Sequence, residues 1–293
     1  MTTENTHRRR EAVETIHDVV SAMRSMAAGR IQGAQRALAA ARRYEAIVSR
    51  GVTALPAALL RLPDPPPGAK TLLVVMMSEQ PLCGVFNLEL LPLVVRRHAE
   101  LSEAGPVELL AVGQRGVRLL AAHGVVPDDS IPAATSLPGL RDVVKRIAAH
   151  IIGQYASGKL GSARVLYNQH RSLSEHIPTE AQILPPDLSV LTSQIETPPR
   201  RFHRYLDNST LLAGSISELA FISLYRIAAD SFASEQAARL VAMDGATRNT
   251  DRLLKELTEL EQRERQDDIT RQVLELISAR FGVADVPRNL GGR

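Results

Sequence analysis

The chain has 293 residues, with 35 Lys and Arg against 32 Asp and Glu, a net charge of +3, one Cys and no Trp. One Cys excludes an intramolecular disulfide framework and a Cys-based zinc site, and so small a net charge does not argue for nucleic acid. The composition, 44% hydrophobic and 23% charged, is that of a folded protein, not a disordered or collagen-like one. No apolar run reaches the roughly 18 residues of a membrane span, and the N-terminus lacks a signal-peptide core. The chain therefore reads as soluble, without a targeting segment.

Proline placement divides the chain. Sixteen of the seventeen prolines lie between Pro56 and Pro199, and the last is Pro287. A proline inside a helix costs about 3 kcal/mol, so both ends of the chain permit long helices and the middle does not. At the N-terminal end, residues 1–55, Val13, Ile16, Val20, Met23, Ala27, Ile31, Ala34, Leu38, Ala41 and Ile47 or Val48 recur at steps of three and four. That is one narrow, alanine-rich helical stripe, stopped by Pro56, Pro63 and the Asp64–Gly68 cluster.

Residues 69–200 alternate as an α/β domain does. Residues 71–77 form a continuous apolar run, as a buried parallel strand would. Strands are expected again at 107–112, 162–168 and 180–184, and helices at 88–101, 114–123 and 140–155. Gly153 to Leu160 fits the phosphate-loop spacing GxxxxGK. Its context is reversed, with a helix before and a strand after, and Leu160 stands where a magnesium-binding hydroxyl belongs. Ser78 to Gly84 follows the first strand, where α/β sheets place ligands, but lacks the GxGxxG spacing. Cys83 reads as a buried small apolar residue. The eight histidines are scattered, without metal-ligand spacing. No catalytic, cofactor-binding or metal-binding residue is assigned, and no cofactor is expected. The arginine clusters at 8–10 and 42–43 lack aromatic residues for stacking, so nucleic acid is not expected as a partner.

Residues 205–282 are predicted as a second long helix. Leu211, Ile216, Leu219, Ile222, Ala229, Phe232, Gln236, Leu240, Met243, Ala246, Thr250, Leu253, Leu257 and Leu260 keep helical spacing. One helix over 209–281 would be about 110 Å long, more than a globular domain buries. Its natural partner is the N-terminal stripe, paired antiparallel, with Val20 and Met23 expected near the charged window around Arg265 or just beyond it. That window, Glu261 to Asp268, offers no apolar seam. It reads either as a solvated face or as a contact surface, with Leu257, Leu260, Ile269 and Val273 expected to pack around it. Residues 283–293 form a tail. The expected fold class is α/β: a long antiparallel coiled coil of terminal helices with an inserted Rossmann-like domain.

Several segments resemble the gamma subunit of F-type ATP synthases. Ala22 to Arg30 (AMRSMAAGR) is similar to that family's AMxMVAxxK helix, and Ser78 to Asn87 (SEQPLCGVFN) to its SDRGLCGGxN segment. Val165 to Asn168 resembles its strand before a loop ending in LLP, here Ile183-Leu184-Pro185. Ser231 to Asn249 resembles SxxSExxxRMxAMxxATxN, and Arg265 to Thr270 resembles RQxxIT. The sequence departs from the family at Glu79-Gln80-Pro81, at Val85, at Gln272 and at Ser278 to Phe281, so it resembles a divergent member.

The resemblance implies a central rotor with no active site of its own, turning inside an alpha/beta catalytic hexamer. It implies further contact with an epsilon subunit and a membrane c-ring. It also implies a peripheral place on the cytoplasmic face of a bacterial membrane, with no direct membrane insertion. By the same resemblance Met23, Arg265, Gln266 and Thr270 are expected to contact the hexamer. A sodium-pumping relative, a stand-alone coiled-coil scaffold and an α/β enzyme with helical arms are the competing readings. No convergent polar site can be assembled for the last.

Overall fold

The computed structural model describes residues 3–53, 65–187 and 207–282. Pro56, Pro63, residues 188–200 and the 283–293 tail lie outside them. In chain order the elements are α1 (Thr3–Thr53), β1 (Lys70–Met76), α2 (Phe86–Ala104), β2 (Val107–Val112), α3 (Gln114–Ala122), β3 (Asp129–Ile131), α4 (Leu137–Ala156), β4 (Leu160–His170), β5 (His176–Leu184) and α5 (Asn208–Gly282). The three-residue β3 was not anticipated, because Asp129-Ser130-Ile131 carries too short an apolar signal. Two compact units are formed. One joins the residues up to Met23 with those from Met243 onward, and the other is Arg24–Ala242.

In the larger unit the strands lie in the order β3-β2-β1-β4-β5. β1 pairs parallel with β2 and β4, β2 pairs parallel with β3, and β5 is antiparallel to β4. The continuous apolar run of β1 has a simple cause: both faces of the sheet are covered. Leu72, Val74 and Met76 point to one face, against Val143, Val144, Ile147 and Ile151 of α4 and Leu224, Ile227 and Phe232 of α5. Leu73, Val75 and Met77 point to the other, against Leu90, Leu91 and Val94 of α2 and Leu120 of α3. Burying each such side chain contributes about 1.5–3 kcal/mol, so α5 is a layer of this core as well as a long helix. The turn into α3 demands glycine. Gly113 has φ +104°, and a Cβ there would stand 2.4 Å from the Met77 carbonyl oxygen. Gly153 lies in α4 and Leu160 opens β4, so the GxxxxGK spacing spans a helix-to-strand turn.

Alongside this core α1 runs antiparallel to α5. Tyr44 donates a hydrogen bond to Glu218 (2.9 Å), and Glu45 pairs with Arg226 (2.8 Å). Ala27, Ile31, Ala34, Leu38 and Ala41 are buried, while Ile47 is exposed, so the buried stripe is narrower than the periodicity suggests. Part of α5 is also more apolar than anticipated. It holds an 18-residue window of mean hydropathy 1.4, 33% buried, which by length and composition alone is apolar enough to cross a membrane. Leu219, Ala220, Ile222 and Leu224 are buried, which accounts for apolar content at this end of the helix.

The smaller unit is a two-helix pair. His7 meets Glu261 (3.0 Å) and His17 meets Asp251 (3.1 Å). The residue numbers add to 268 in both pairs, so the helices are antiparallel and Met23 stands level with Gly245. This corrects the expectation that Val20 and Met23 lie near the charged window. At 1.5 Å per residue, Arg265 is about 30 Å further along the axis from Gly245, level with the first turn of α1. Beyond it α5 has no partner helix among the described residues. Leu257 is buried, but Leu260, Ile269 and Val273 are exposed, so these three do not pack as expected.

On the sheet's antiparallel edge, Glu180 of β5 is gripped by Arg97 of α2 (2.6 Å) and Arg164 of β4 (2.7 Å). Burial alone would raise its pKa, but the two guanidinium groups hold it below the ordinary carboxylate value. A depressed carboxyl contributes stability above its unfolded pKa and loses it as pH falls through the folded value. Glu180→Gln should therefore lower the urea midpoint at neutral pH. It should also flatten the acid limb of a midpoint-against-pH curve relative to the parent.

Candidate functional site

An open parallel sheet offers a ligand crevice outside the carboxyl ends of its strands, where the strand order reverses. Here β1 is the reversal point, flanked by β2 and β4, so the crevice lies beyond Met76 and Asn168. The chain's own α5 occupies it. Ile227 to Ala237 are all buried, as in a helix surrounded on every side. Yet Asp230, Ser231, Ser234, Glu235 and Gln236 among them are polar, and the partners of several are strand ends and loops. Ser234 Oγ donates to the Asn168 carbonyl (2.8 Å), and Asp230 Oδ1 accepts from the His170 backbone N–H (3.1 Å). Arg239 donates to the Pro81 carbonyl (2.9 Å) and forms an ion pair with Glu235 one turn earlier. Burial pushes the Glu235 carboxyl up, against the pull of Arg239 and Arg30.

The Ser78 to Asn87 segment closes the crevice from the other side. Asn87 Nδ2 donates to Ser78 Oγ (2.7 Å), and the Ser78 backbone N–H donates to Asn87 Oδ1 (3.0 Å). Cys83 is buried beside them, its thiol donating to Ser78 Oγ (3.4 Å), and burial pushes its pKa up, so it is placed as a packing residue and not as a thiolate nucleophile. Glu79 accepts from the backbone N–H groups of Gln114 (3.1 Å) and Ala133 (2.8 Å). A side-chain carboxylate thus sits at the start of α3, where a ligand's anion would otherwise be stabilised. Leu82 holds φ at +65° and is 53% exposed. With Val85 and Leu88 it forms an exposed apolar patch beside a 340 Å³ cleft that is also lined by Arg115 and Arg118 and holds no carboxylate. Sequence reasoning did not find this patch, because Arg115 and Arg118 are distant in sequence and meet it only through the fold.

The four residues expected to touch a partner do not form one cluster. Met23 is half-buried between the paired helices, while Arg265, Gln266 and Thr270 are exposed on the unpaired end of α5. Thr270 Oγ1 donates to the Gln266 carbonyl (2.9 Å), one turn back. Around them Ile269, Val273, Leu274, Leu276 and Ile277 are between 47% and 71% exposed. No group of three or more His, Cys, Asp or Glu able to hold a metal occurs among the described residues.

A family model described as ATP synthase matches residues 2–280. The ATP synthase gamma chain of Paracoccus denitrificans is 30% identical over 277 residues, covering 91% of this chain and 94% of that one. The chain belongs to the ATP synthase gamma chain family. The gamma chain of Methylobacterium sp. (strain 4-46) is 29% identical over 286 residues, again covering 91% and 94%. A chain of the Euglena gracilis mitochondrial ATP synthase (OSCP/F1/c-ring) has the same fold, with a TM-score of 0.62 at 15% identity over 99% of this chain and 98% of that one. One from the central stalk and c-ring of the Tetrahymena thermophila enzyme gives 0.57 at 21%, over 78% and 99%. Such low identities fit a divergent member, and membership in this family carries a rotor-subunit role.

For a family member, the Ser231–Arg239 motif has a physical reason: it plugs the sheet's ligand crevice. Arg239→Met should leave Glu235 buried and unpaired, costing about 3–5 kcal/mol, whereas the double variant Glu235→Leu, Arg239→Met should recover most of that loss. Paired denaturant titrations of the three proteins check this.

Proposed function

We propose that the chain is the central rotor of a rotary F-type ATP synthase or ATPase, coupling ion flow through a membrane ring to ATP synthesis or hydrolysis in an alpha/beta hexamer. The observation that carries the reading is the free end of α5. A helix that leaves five large apolar side chains about half exposed or more, past the end of its partner helix, calls for an apolar sleeve around it. The hexamer is the sleeve. The similar Euglena structure contains F1 and a c-ring by its description, which supports the same two partners here, with an epsilon subunit as the third. The chain contributes contacts and no chemistry of its own: no catalytic residue, cofactor or metal is assigned to it. Its place is peripheral, on the cytoplasmic face of a bacterial membrane, without insertion.

Met23, Arg265, Gln266 and Thr270 are assigned to the rotor–hexamer contact. Arg265 and Gln266 are exposed in the free chain, so a partner oxygen held against Arg265 at one rotor angle and released at the next alters the rotation barrier. A charge-assisted contact of that kind is worth more than a surface ion pair. The patch of Leu82, Val85 and Leu88 with Arg115 and Arg118 is a second contact, suited to a partner loop that carries acidic and apolar residues.

Replacing Arg265 and Gln266 together by Ala should change the stability of the isolated chain by less than about 0.5 kcal/mol. It should alter ATP turnover or ion coupling in the reconstituted complex. Thermal melts of the chain and ATPase rates of the assembly are the paired measurements. Unchanged turnover in a fully assembled complex would mean that the charged window is only a solvated face.

A further inference from the structure

The rotor reading leaves open how rotation of the long helices reaches the sheet domain, and the buried crossing of α5 over the end of β4 answers it. We propose that Asp230 and Ser234 are positioning residues that lock α5 to the sheet, so that the shaft cannot turn in its socket. The proposal rests on the rotor reading and deepens it.

The argument begins with what apolar packing cannot do. Burial of apolar surface is non-directional. The surface that α5 presents to the sheet mixes Leu224, Ile227 and Phe232 with the small Ala228, Ala229 and Ala233, and its apolar contacts hold the helix without prescribing one angle about its axis. Hydrogen bonds have direction and short range, so they fix an angle. Two of them join this turn of α5 to consecutive stations at the end of β4. Ser234 Oγ reaches the Asn168 carbonyl at 2.8 Å, and Asp230 Oδ1 receives the His170 N–H at 3.1 Å. Asn168 passes the connection on, its Nδ2 donating to the Phe86 carbonyl at the start of α2 (2.7 Å). The joint thus ties α5, β4 and α2 together.

The joint is also costly, which argues that it is not there for stability alone. Asp230 is 1% exposed and Asn168 and Ser234 are fully buried, yet Asp230 Oδ2 and Asn168 Oδ1 have no hydrogen-bond partner among the described residues. Buried polar atoms without partners lower stability, and an apolar replacement of similar shape does not incur that penalty. Burial pushes the Asp230 carboxyl up, against the His170 backbone N–H bond and the charges of Arg42 on α1, Arg226 on α5 and His170. A residue retained at such expense where the shaft crosses the end of β4 serves geometry.

The test uses the full chain, reconstituted with hexamer and ring subunits in vesicles. ATP hydrolysis is measured beside ATP-driven uptake, with a pH-sensitive dye for protons and a radiotracer for sodium. For Asp230→Leu with Ser234→Ala, hydrolysis should stay within about twofold of the parent, while ions moved per ATP fall about fivefold or more. Asp230→Asn keeps an acceptor oxygen for the His170 N–H and should retain the parental ratio. If the double variant does not fold, Ser234→Ala alone decides, since it removes only the hydroxyl shared between the Asn168 and Asp230 carbonyls and no charge, and the ratio should then fall about twofold. An unchanged ratio in an assembled complex, or hydrolysis and uptake falling in proportion, overturns the joint. Failure of the parent chain itself to support coupled turnover overturns the rotor reading instead.

Discussion

Everything in the larger unit depends on the burial of α5 between Ile227 and Ala237. A helix enclosed on all sides is ordinarily apolar all round. This one carries Asp230, Ser231, Ser234, Glu235 and Gln236, and a buried polar group ordinarily needs a partner. Asp230 and Ser234 find theirs at the carboxyl end of β4, and Glu235 is paired with Arg239, which reaches the loop after β1. The sheet therefore uses its ligand crevice to hold part of its own chain. The loop that would cradle a phosphate instead bends around Arg239, and the helix terminus that would meet an anion meets Glu79. A doubly wound architecture is thereby converted from a binding domain into a mount.

The two units divide the chain's work by exposure. In Arg24–Ala242 the long helices are anchored to a sheet with both faces covered. In the unit from Met243 onward, α5 has α1 for company only as far as the first turn of α1, and after that it has no partner among the described residues. Its exposed Ile269, Val273, Leu274, Leu276 and Ile277 are too numerous and too close together for a helix that ends in water. A part that works inside another assembly keeps its apolar surface for that assembly. The thin, alanine-rich pairing seam fits the same purpose, since small side chains let two helices run close together and stay slim.

Much of this was legible in the residues. The proline-free ends dictated two long helices, because no interior ring interrupts their hydrogen-bond ladders. The uninterrupted apolar run of β1 dictated a strand covered on both faces, and the reversed context of Gly153 to Leu160 excluded a phosphate loop. These are local properties, decided by backbone chemistry and by side chains within a turn or two of one another. Motif likeness at Ser231–Asn249 and Arg265–Thr270 pointed to the family that the comparisons then showed.

Register and exposure were decided only by the tertiary structure. Periodicity says that Met23 faces a partner helix but not which residue it faces, because an alanine-rich seam tolerates several offsets. The cross-helix contacts of His7 and His17 selected one of them and moved Met23 about 30 Å away from Arg265 along the helix axis. Ile269 and Val273 keep a core-like spacing, yet whether such a stripe is packed depends on where the partner helix ends, and that is a fact about another part of the chain. Arg115 and Arg118 reach the Leu82 patch only because β2 lies next to β1. Asp230 and Ser234 carry no sign of burial in the sequence, and they became a joint only when the end of β4 in a folded sheet arrived to meet them.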